Sequence, residues 1–124
     1  MTLTDKQIVL GVTGSIAAYK AVELVRALTT AGAGVRVVMT ASAQRFVTPL
    51  TFATLSRQAV LTDRVALEDE ATMPHIDMAH EADLLLVAPA TAHTIAKFAQ
   101  GLADDLLSTL FLAWTRPIVL APAM

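Results

Sequence analysis

The stretch Gln7-Ile-Val-Leu-Gly-Val-Thr-Gly-Ser-Ile-Ala17 decides the fold of this chain. Its first six residues form a nearly continuous apolar run, which is typical of a strand buried on both faces. Thr13-Gly14-Ser15 then predicts a tight turn. Beyond the turn, apolar residues recur at helical spacing, so residues 16–30 are predicted to form an amphipathic helix that Gly32 and Gly34 terminate.

Strands and helices alternate along the rest of the chain. A second apolar run predicts a strand at residues 35–39, and a strand, helix and strand in series require a right-handed crossover and parallel pairing. The remaining predicted strands are at residues 84–88 and 117–121, with a short strand at 59–61 left open. Helices are predicted at residues 91–99 and 105–114 and in two short pieces around Pro49, and a charged loop is predicted at residues 64–71. The sequence therefore predicts a Rossmann-like (flavodoxin-like) doubly wound parallel sheet in three α/β/α layers.

Composition limits the classes of function. A chain of 124 residues is the size of one domain, and its 55% apolar content excludes disorder and favours a partner subunit. The net charge of −2, with scattered Lys and Arg, argues against nucleic-acid binding. With no cysteine, no membrane-length apolar stretch and no signal-peptide pattern, we expect a cytoplasmic protein without disulfides.

The last predicted strand is followed at once by Pro122-Ala-Met124. In doubly wound sheets, ligands bind at the carboxyl ends of the strands, so a functional loop would begin at this point. We therefore expect residues 1–124 to be a single, incomplete domain, truncated at its C-terminal end.

Three polar loops are expected to meet at one edge of the sheet. Gly14 and Ser15 follow the first strand, Thr40 and Ser42 the second, and Thr91 the third. We expect Gly14 to supply a positive φ and a close approach to a ligand, and the helix after it to attract an anion. The glycine spacing in the turn after the first strand matches neither the dinucleotide-binding motif nor the Walker motif. No acidic residue follows the second strand to hold the ribose of a dinucleotide. Both observations favour a phosphate monoester as the ligand. The alternative is that Gly14 and Ser15 only form a turn and cap a helix.

Histidine is the residue best suited to proton transfer. His75, with Asp77 two residues on, is the strongest choice, although a surface role is the alternative. His75, His80 and His93 lack the spacing of a metal site, so no metal is expected. The pair Asp104-Asp105 is expected to cap a helix.

An ordered set of motifs resembles one known family. The set comprises residues 11–20, Met39-Thr40 with Phe46-Val-Thr-Pro49, His75-Ile76, residues 82–92, Gly101 with Asp105-Leu106, and Pro122-Ala-Met124. Together they resemble the homo-oligomeric flavin-containing cysteine decarboxylases, particularly the phosphopantothenoylcysteine decarboxylase branch, across essentially the whole chain.

The resemblance implies an FMN-dependent lyase that converts 4′-phosphopantothenoylcysteine into 4′-phosphopantetheine in coenzyme A biosynthesis. In that family, flavin oxidises the cysteine moiety to a thioaldehyde, carbon dioxide leaves, and the reduced flavin returns the hydride. Implied partners are the substrate and further copies of the chain, as a trimer or a multiple of trimers, with no nucleic acid or membrane. His75 aligns with the family's active-site histidine. The residues implied to bind FMN are Gly14, Ser15, Ile16, Thr40, Ser42, Phe46, Ala88, Pro89, Ala90, Thr91 and Met124.

The sequence departs from the family in several places. The family's Pro-x-Met motif continues with an asparagine that binds the substrate carboxylate, whereas this chain ends at Met124. The later covering segment with its cysteine and the ligase half are absent too, so we expect little activity from this chain alone. His93 and Asp104 stand where the family usually has asparagine. Open alternatives are a flavin prenyltransferase, a regulatory subunit that binds a protein phosphatase, and a generic nucleotide-binding module.

Overall fold

A single parallel sheet organises the chain. The computed structural model describes residues 2–64 and 79–124. In these residues the strands are β1 (Gln7–Val12), β2 (Gly34–Met39), β3 (Leu84–Ala90) and β4 (Ile118–Pro122), in the order β2-β1-β3-β4. All three strand pairings are parallel. The predicted Rossmann-like α/β fold is confirmed, and β3 extends two residues beyond its predicted end.

The helices follow the predicted alternation with small shifts. They are α1 (Ala18–Thr30), a 3₁₀ turn at Ala43–Arg45, α2 (Pro49–Ser56), α3 (Ala92–Gln100) and α4 (Leu106–Ala113). Helix α1 starts two residues later than predicted, because the Ser15 hydroxyl accepts a hydrogen bond from the backbone N–H of Ala17 at 3.1 Å and forms a turn there. Gly32 ends α1 with a φ of +100°. Within the described part of the chain, none of the helices has the length and apolar character needed to cross a bilayer.

Both faces of the sheet are covered, which explains the continuous apolar run in β1. Ile8, Leu10 and Val12 point to one face, where they belong to a core with α1 and α2. Val9 points to the other, where it belongs to a core with α3 and α4. The three-layer arrangement follows, since successive residues of a strand face opposite sides.

Helix α4 packs closely against β1 at Gly11. A Cβ atom on Gly11 would lie 2.7 Å from Cδ1 of Leu107, which is itself buried. Any larger residue there would require the Leu107 side chain to move. On the same side, the rings of Phe98 and Phe111 stack with centroids 4.0 Å apart and join α3 to α4.

The short strand considered at residues 59–61 is reduced to one paired residue. Leu61 forms a parallel bridge with Val38. Its N–H donates to Val37 O and its carbonyl accepts from Met39 N–H, both at 2.9 Å. The bridge extends the sheet beyond β2 by a single residue.

Candidate functional site: a polar cleft at the carboxyl edge of the sheet

A polar cleft lies where the strand order reverses. Strand β1 pairs with β2 on one side and with β3 on the other, so the loops leaving these strands diverge between them. The cleft has a volume of about 310 Å³. It is lined by Gly14, Thr40, Ala41, Ser42, Asp63, Thr91, His93, Thr94, Lys97 and Asp105. The predicted convergence of three polar loops is thereby confirmed.

The first two loops touch directly at Gly14 and Ser42. A Cβ atom on Gly14 would collide with the Ser42 Cβ and lie 3.1 Å from the Ser42 carbonyl carbon. The prediction of a positive φ at Gly14 is wrong, since the glycines with positive φ in the described residues are Gly32 and Gly101. Glycine is needed at position 14 because the backbone of the second loop leaves no room for a side chain.

The hydroxyls near this contact differ in how they are used. Ser15 is buried, and its Oγ accepts from Ala17 N–H and donates to the Met124 carbonyl. Thr40 Oγ1 accepts from Ala43 N–H at 3.2 Å. Ser42 is exposed, and its hydroxyl has no hydrogen-bond partner in the parts of the chain the structure covers. Ser42 therefore retains its full capacity to bind a ligand oxygen.

The third loop ends in a capped helix. Thr91 Oγ1 accepts from Thr94 N–H at 3.2 Å and donates to Thr94 Oγ1 at 3.1 Å, which fixes the start of α3. His93, in the first turn of α3, is exposed and lines the cleft. The positive end of the α3 dipole thus lies at the cleft wall.

The other predicted flavin-binding residues do not line this cleft. Ala88, Pro89 and Ala90 form the end of β3, and the Ala88–Pro89 peptide bond is cis. Ile16, Phe46 and Met124 are exposed at the surface. His75, Asp77 and most of the predicted loop at residues 64–71 lie outside the described residues.

Lys97 lines the cleft with Asp63 and Asp105, and Asp104 pairs with the same ammonium group from outside the lining. Lys97 Nζ lies 2.6 Å from Asp104 Oδ1 and 2.8 Å from Asp105 Oδ2. Asp105 caps α4 as predicted, because its Oδ1 accepts from Ser108 N–H at 2.8 Å. Asp63 Oδ1 accepts from Leu106 N–H at 2.9 Å and joins the same helix end. The ammonium group is therefore already neutralised within the protein.

These contacts shift three pKa values. Burial lowers the pKa of Lys97, but the hydrogen bonds and charges of the two aspartates outweigh burial and raise it above its ordinary value of 10.5. The hydrogen bond from Lys97 lowers the pKa of Asp104 below 3.8. Burial raises the pKa of Asp105, yet hydrogen bonds from Lys97 and Ser108 outweigh it and hold the pKa below 3.8.

The sequence analysis missed Asp63 and Lys97 as cleft residues. Lys97 could have been found, because a helix capped at Thr91 brings Lys97 to the same side as Thr94, three residues earlier. Asp63 carried no such signal, since its partner Leu106 is 43 residues away in sequence. Asp105 was recognised only as a helix cap.

The fold and the cleft define a class: an α/β protein with a polar cleft at the switch point of a doubly wound sheet. The chain matches the flavoprotein family over residues 1–124 and belongs to that family.

One curated relative is the coenzyme A biosynthesis bifunctional protein CoaBC of Bacillus subtilis, which is 52% identical over 122 residues, covering 98% of this chain and 30% of the relative. The chain thus spans about a third of the length of the curated relatives it matches. Among solved structures, the FMN-dependent cysteine decarboxylase TvaF from thioviridamide biosynthesis superimposes with a TM-score of 0.91 at 33% identity, covering 97% of this chain and 74% of that one. A PPC decarboxylase complexed with pantothenoylaminoethenethiol gives a TM-score of 0.84 at 33% identity, with coverages of 96% and 67%.

The ion-pair cluster predicts how stability depends on pH. Asp104 and Asp105 have lowered pKa values, so their contribution is present above about pH 4 and is lost as the pH falls further. Lys97 has a raised pKa, so its contribution is present below 10.5 and is lost at higher pH. Between about pH 5 and about pH 2, the unfolding free energy of Lys97→Met should therefore decrease less steeply with falling pH than that of the wild type.

Urea unfolding at each pH, followed by the fluorescence of the buried Trp114, measures this change. Lys20→Met, which removes an exposed lysine from α1, is the matched control and should retain the wild-type slope. Parallel curves for wild type and Lys97→Met would contradict the prediction.

Proposed function

We propose that the cleft binds FMN through its single phosphate group. The observation that carries this proposal is the direct contact of Gly14 with Ser42, which brings the turn before α1 and the loop after β2 to within reach of one small anion. Backbone N–H groups at the starts of α1 and α3 supply further donors of the kind that bind phosphates. Membership of the flavoprotein family supports the same ligand.

The donor set suits a mononucleotide. Neutral hydroxyls of Thr40, Ser42 and Thr91 line the cleft, whereas the charge of Lys97 is taken up by Asp104 and Asp105. The phosphate is therefore held by the Ser42 hydroxyl and by backbone dipoles rather than by a cation. No carboxylate stands in the loop Thr40-Ala41-Ser42 to bind the ribose of a dinucleotide, which disfavours NAD.

We expect the 124-residue chain to bind FMN more tightly than NAD or FAD, as measured by quenching of flavin fluorescence and by calorimetry. Gly14→Ala should weaken FMN binding at least about tenfold, because overpacking of about 1–3 kcal/mol falls on the binding turn itself.

Gly101→Ala is the control for this variant. Gly101 has a φ of +73°, and a Cβ atom there would meet no other atom of the described residues within 4 Å, so alanine adds only backbone strain, away from the cleft. The control should lose stability and keep FMN affinity. Equal or tighter binding of NAD by the wild type would overturn the assignment of the cleft.

We further propose that the domain acts in FMN-dependent decarboxylation of 4′-phosphopantothenoylcysteine to 4′-phosphopantetheine. Support comes from the CoaBC proteins of coenzyme A biosynthesis and from the FMN-dependent and PPC decarboxylase structures. When bound, the flavin supplies the two-electron chemistry that the side chains lack. Ala88, Pro89 and Ala90 would contact its ring, and Ile16, Phe46 and Met124 would complete the binding surface. A cytoplasmic location belongs to the same proposal.

His75 is proposed as the catalytic side chain, with a role in proton transfer or substrate orientation. The sequence places it in a polar loop after Pro74. His75→Asn should lower the rate of carbon dioxide release at least about a hundredfold, the lower value for a positioned acid or base. Unfolding free energy should change by no more than about 0.5 kcal/mol, as for other surface substitutions.

The assay uses the gene product at its natural length with phosphopantothenoylcysteine as substrate. His80→Asn is the matched control, since it removes an exposed histidine from the neighbouring stretch. It should leave the rate unchanged. Near-normal activity of His75→Asn would show that the active-site histidine is wrongly assigned.

We propose that the domain assembles as a trimer or a multiple of trimers. Large apolar side chains are exposed on the segments that follow β1 and β2: Ile16 at 71%, Phe46 at 48% and Leu50 at 74%. Ile16 and Phe46 follow Gly14 and Ser42 by two and four residues, so both lie beside the contact that forms the cleft. Burial of these side chains against another copy would remove apolar surface from water.

Leu50→Glu should shift the assembly toward monomer in sedimentation equilibrium, because a carboxylate would enter the apolar contact. Leu112→Glu is the matched control, since Leu112 is 52% exposed on α4. It should sediment as the wild type does. A wild-type monomer at micromolar concentration in the presence of FMN would contradict the proposed assembly.

A further inference from the structure

Thr13 joins the ends of β1 and β3 through its side chain. It is fully buried and follows the last residue of β1. Its Oγ1 donates to Pro89 O at 2.5 Å and accepts from Thr91 N–H at 3.1 Å. Its own N–H donates to the same Pro89 carbonyl at 3.3 Å. One hydroxyl thus spans the switch point of the sheet.

The segment at residues 89–91, where β3 ends, is held from both sides, and the bonds to Thr13 hold one of them. On the side away from Thr13, Ala123 N–H donates to Ala90 O at 3.1 Å. Thr91 in turn caps α3 and lines the cleft, whereas Thr13 does not line it. Thr13 therefore has no free group to offer a ligand, and any effect it has on the cleft passes through Thr91.

We propose that Thr13 is a positioning residue, which sets the Pro89–Ala90–Thr91 segment at the end of β3, and with it the start of α3, for the bound flavin. The part that concerns flavin rests on the proposed function of the cleft. Position 13 requires a hydroxyl, because a hydroxyl can donate a hydrogen bond to Pro89 O and at the same time accept one from Thr91 N–H. Valine has the same shape and would leave the Thr91 N–H without its acceptor.

The test compares Thr13→Val with Thr13→Ser in the 124-residue chain. Thr13→Val should increase amide hydrogen exchange at Thr91 and in the first turn of α3 about tenfold or more in the ligand-free protein. It should also weaken FMN binding about tenfold and change the visible spectrum of the bound flavin. Thr13→Ser keeps the hydroxyl and should restore exchange, affinity and spectrum to near wild-type values.

Ser56→Ala is the control for loss of stability alone. Ser56 is buried at the end of α2, where its Oγ accepts from Gln58 N–H at 3.3 Å, and it does not line the cleft. At urea concentrations that equalise global stability, Ser56→Ala should leave exchange at Thr91 and FMN binding as in the wild type.

The outcomes separate the two proposals. Wild-type exchange at Thr91 in Thr13→Val would overturn the positioning role, whatever the ligand. Faster exchange together with unchanged FMN affinity and spectrum would overturn the link from Thr13 to the ligand. Failure of the wild type to bind FMN would overturn the proposed function and that link, while the exchange data would still decide whether Thr13 holds the segment at residues 89–91.

Discussion

Pairing of β1 with a strand on each side is the constraint from which the site arises. Val12 lies opposite Met39 of β2, and Gly11 lies opposite Val87 of β3, so three strands end at nearly the same level. Parallel direction then sends all three following loops to one edge. The residues after Val12 have to turn between two neighbouring loops, which is why Thr13 bonds to one of them and Gly14 contacts the other.

The core that contains α3 and α4 connects the sheet to the part of the cleft lined by Lys97 and Asp105. Gly11 lets the Leu107 side chain of α4 approach β1 closely. The same helix begins at Asp105, whose carboxylate holds Lys97 of α3. The helix that packs on the sheet through Leu107 thus also supplies the carboxylate that pairs with Lys97. The stacked rings of Phe98 and Phe111 hold the two helices together in that arrangement.

Elements that depend on local patterns could be predicted from the sequence, and contacts between distant residues could not. The run in β1 and the helical spacing in α1 are local, so both elements were predicted to within two residues. The convergence of Gly14, Ser42 and Thr91 followed from parallel pairing alone. The sequence could not explain why position 14 needs glycine, because the explanation is its contact with Ser42, which is 28 residues further along the chain. The periodicity of apolar residues carries no information about such a distant contact. Asp63 was missed on the same ground, because its bond to Leu106 is purely tertiary.

The balance of charge in the cleft bears on how a ligand arrives. Its lining carries one ammonium, Lys97, against two carboxylates, Asp63 and Asp105, so the lining has no excess of positive charge. An anionic ligand is consequently not drawn in by long-range attraction, and its association rate is set by ordinary diffusion and docking. Short-range dipoles are little affected by dissolved ions, whereas fields between separated charges are screened within about 10 Å at 0.1 M salt. Because the charge of the lining is net negative, added salt should not slow the association of an anionic ligand with this cleft.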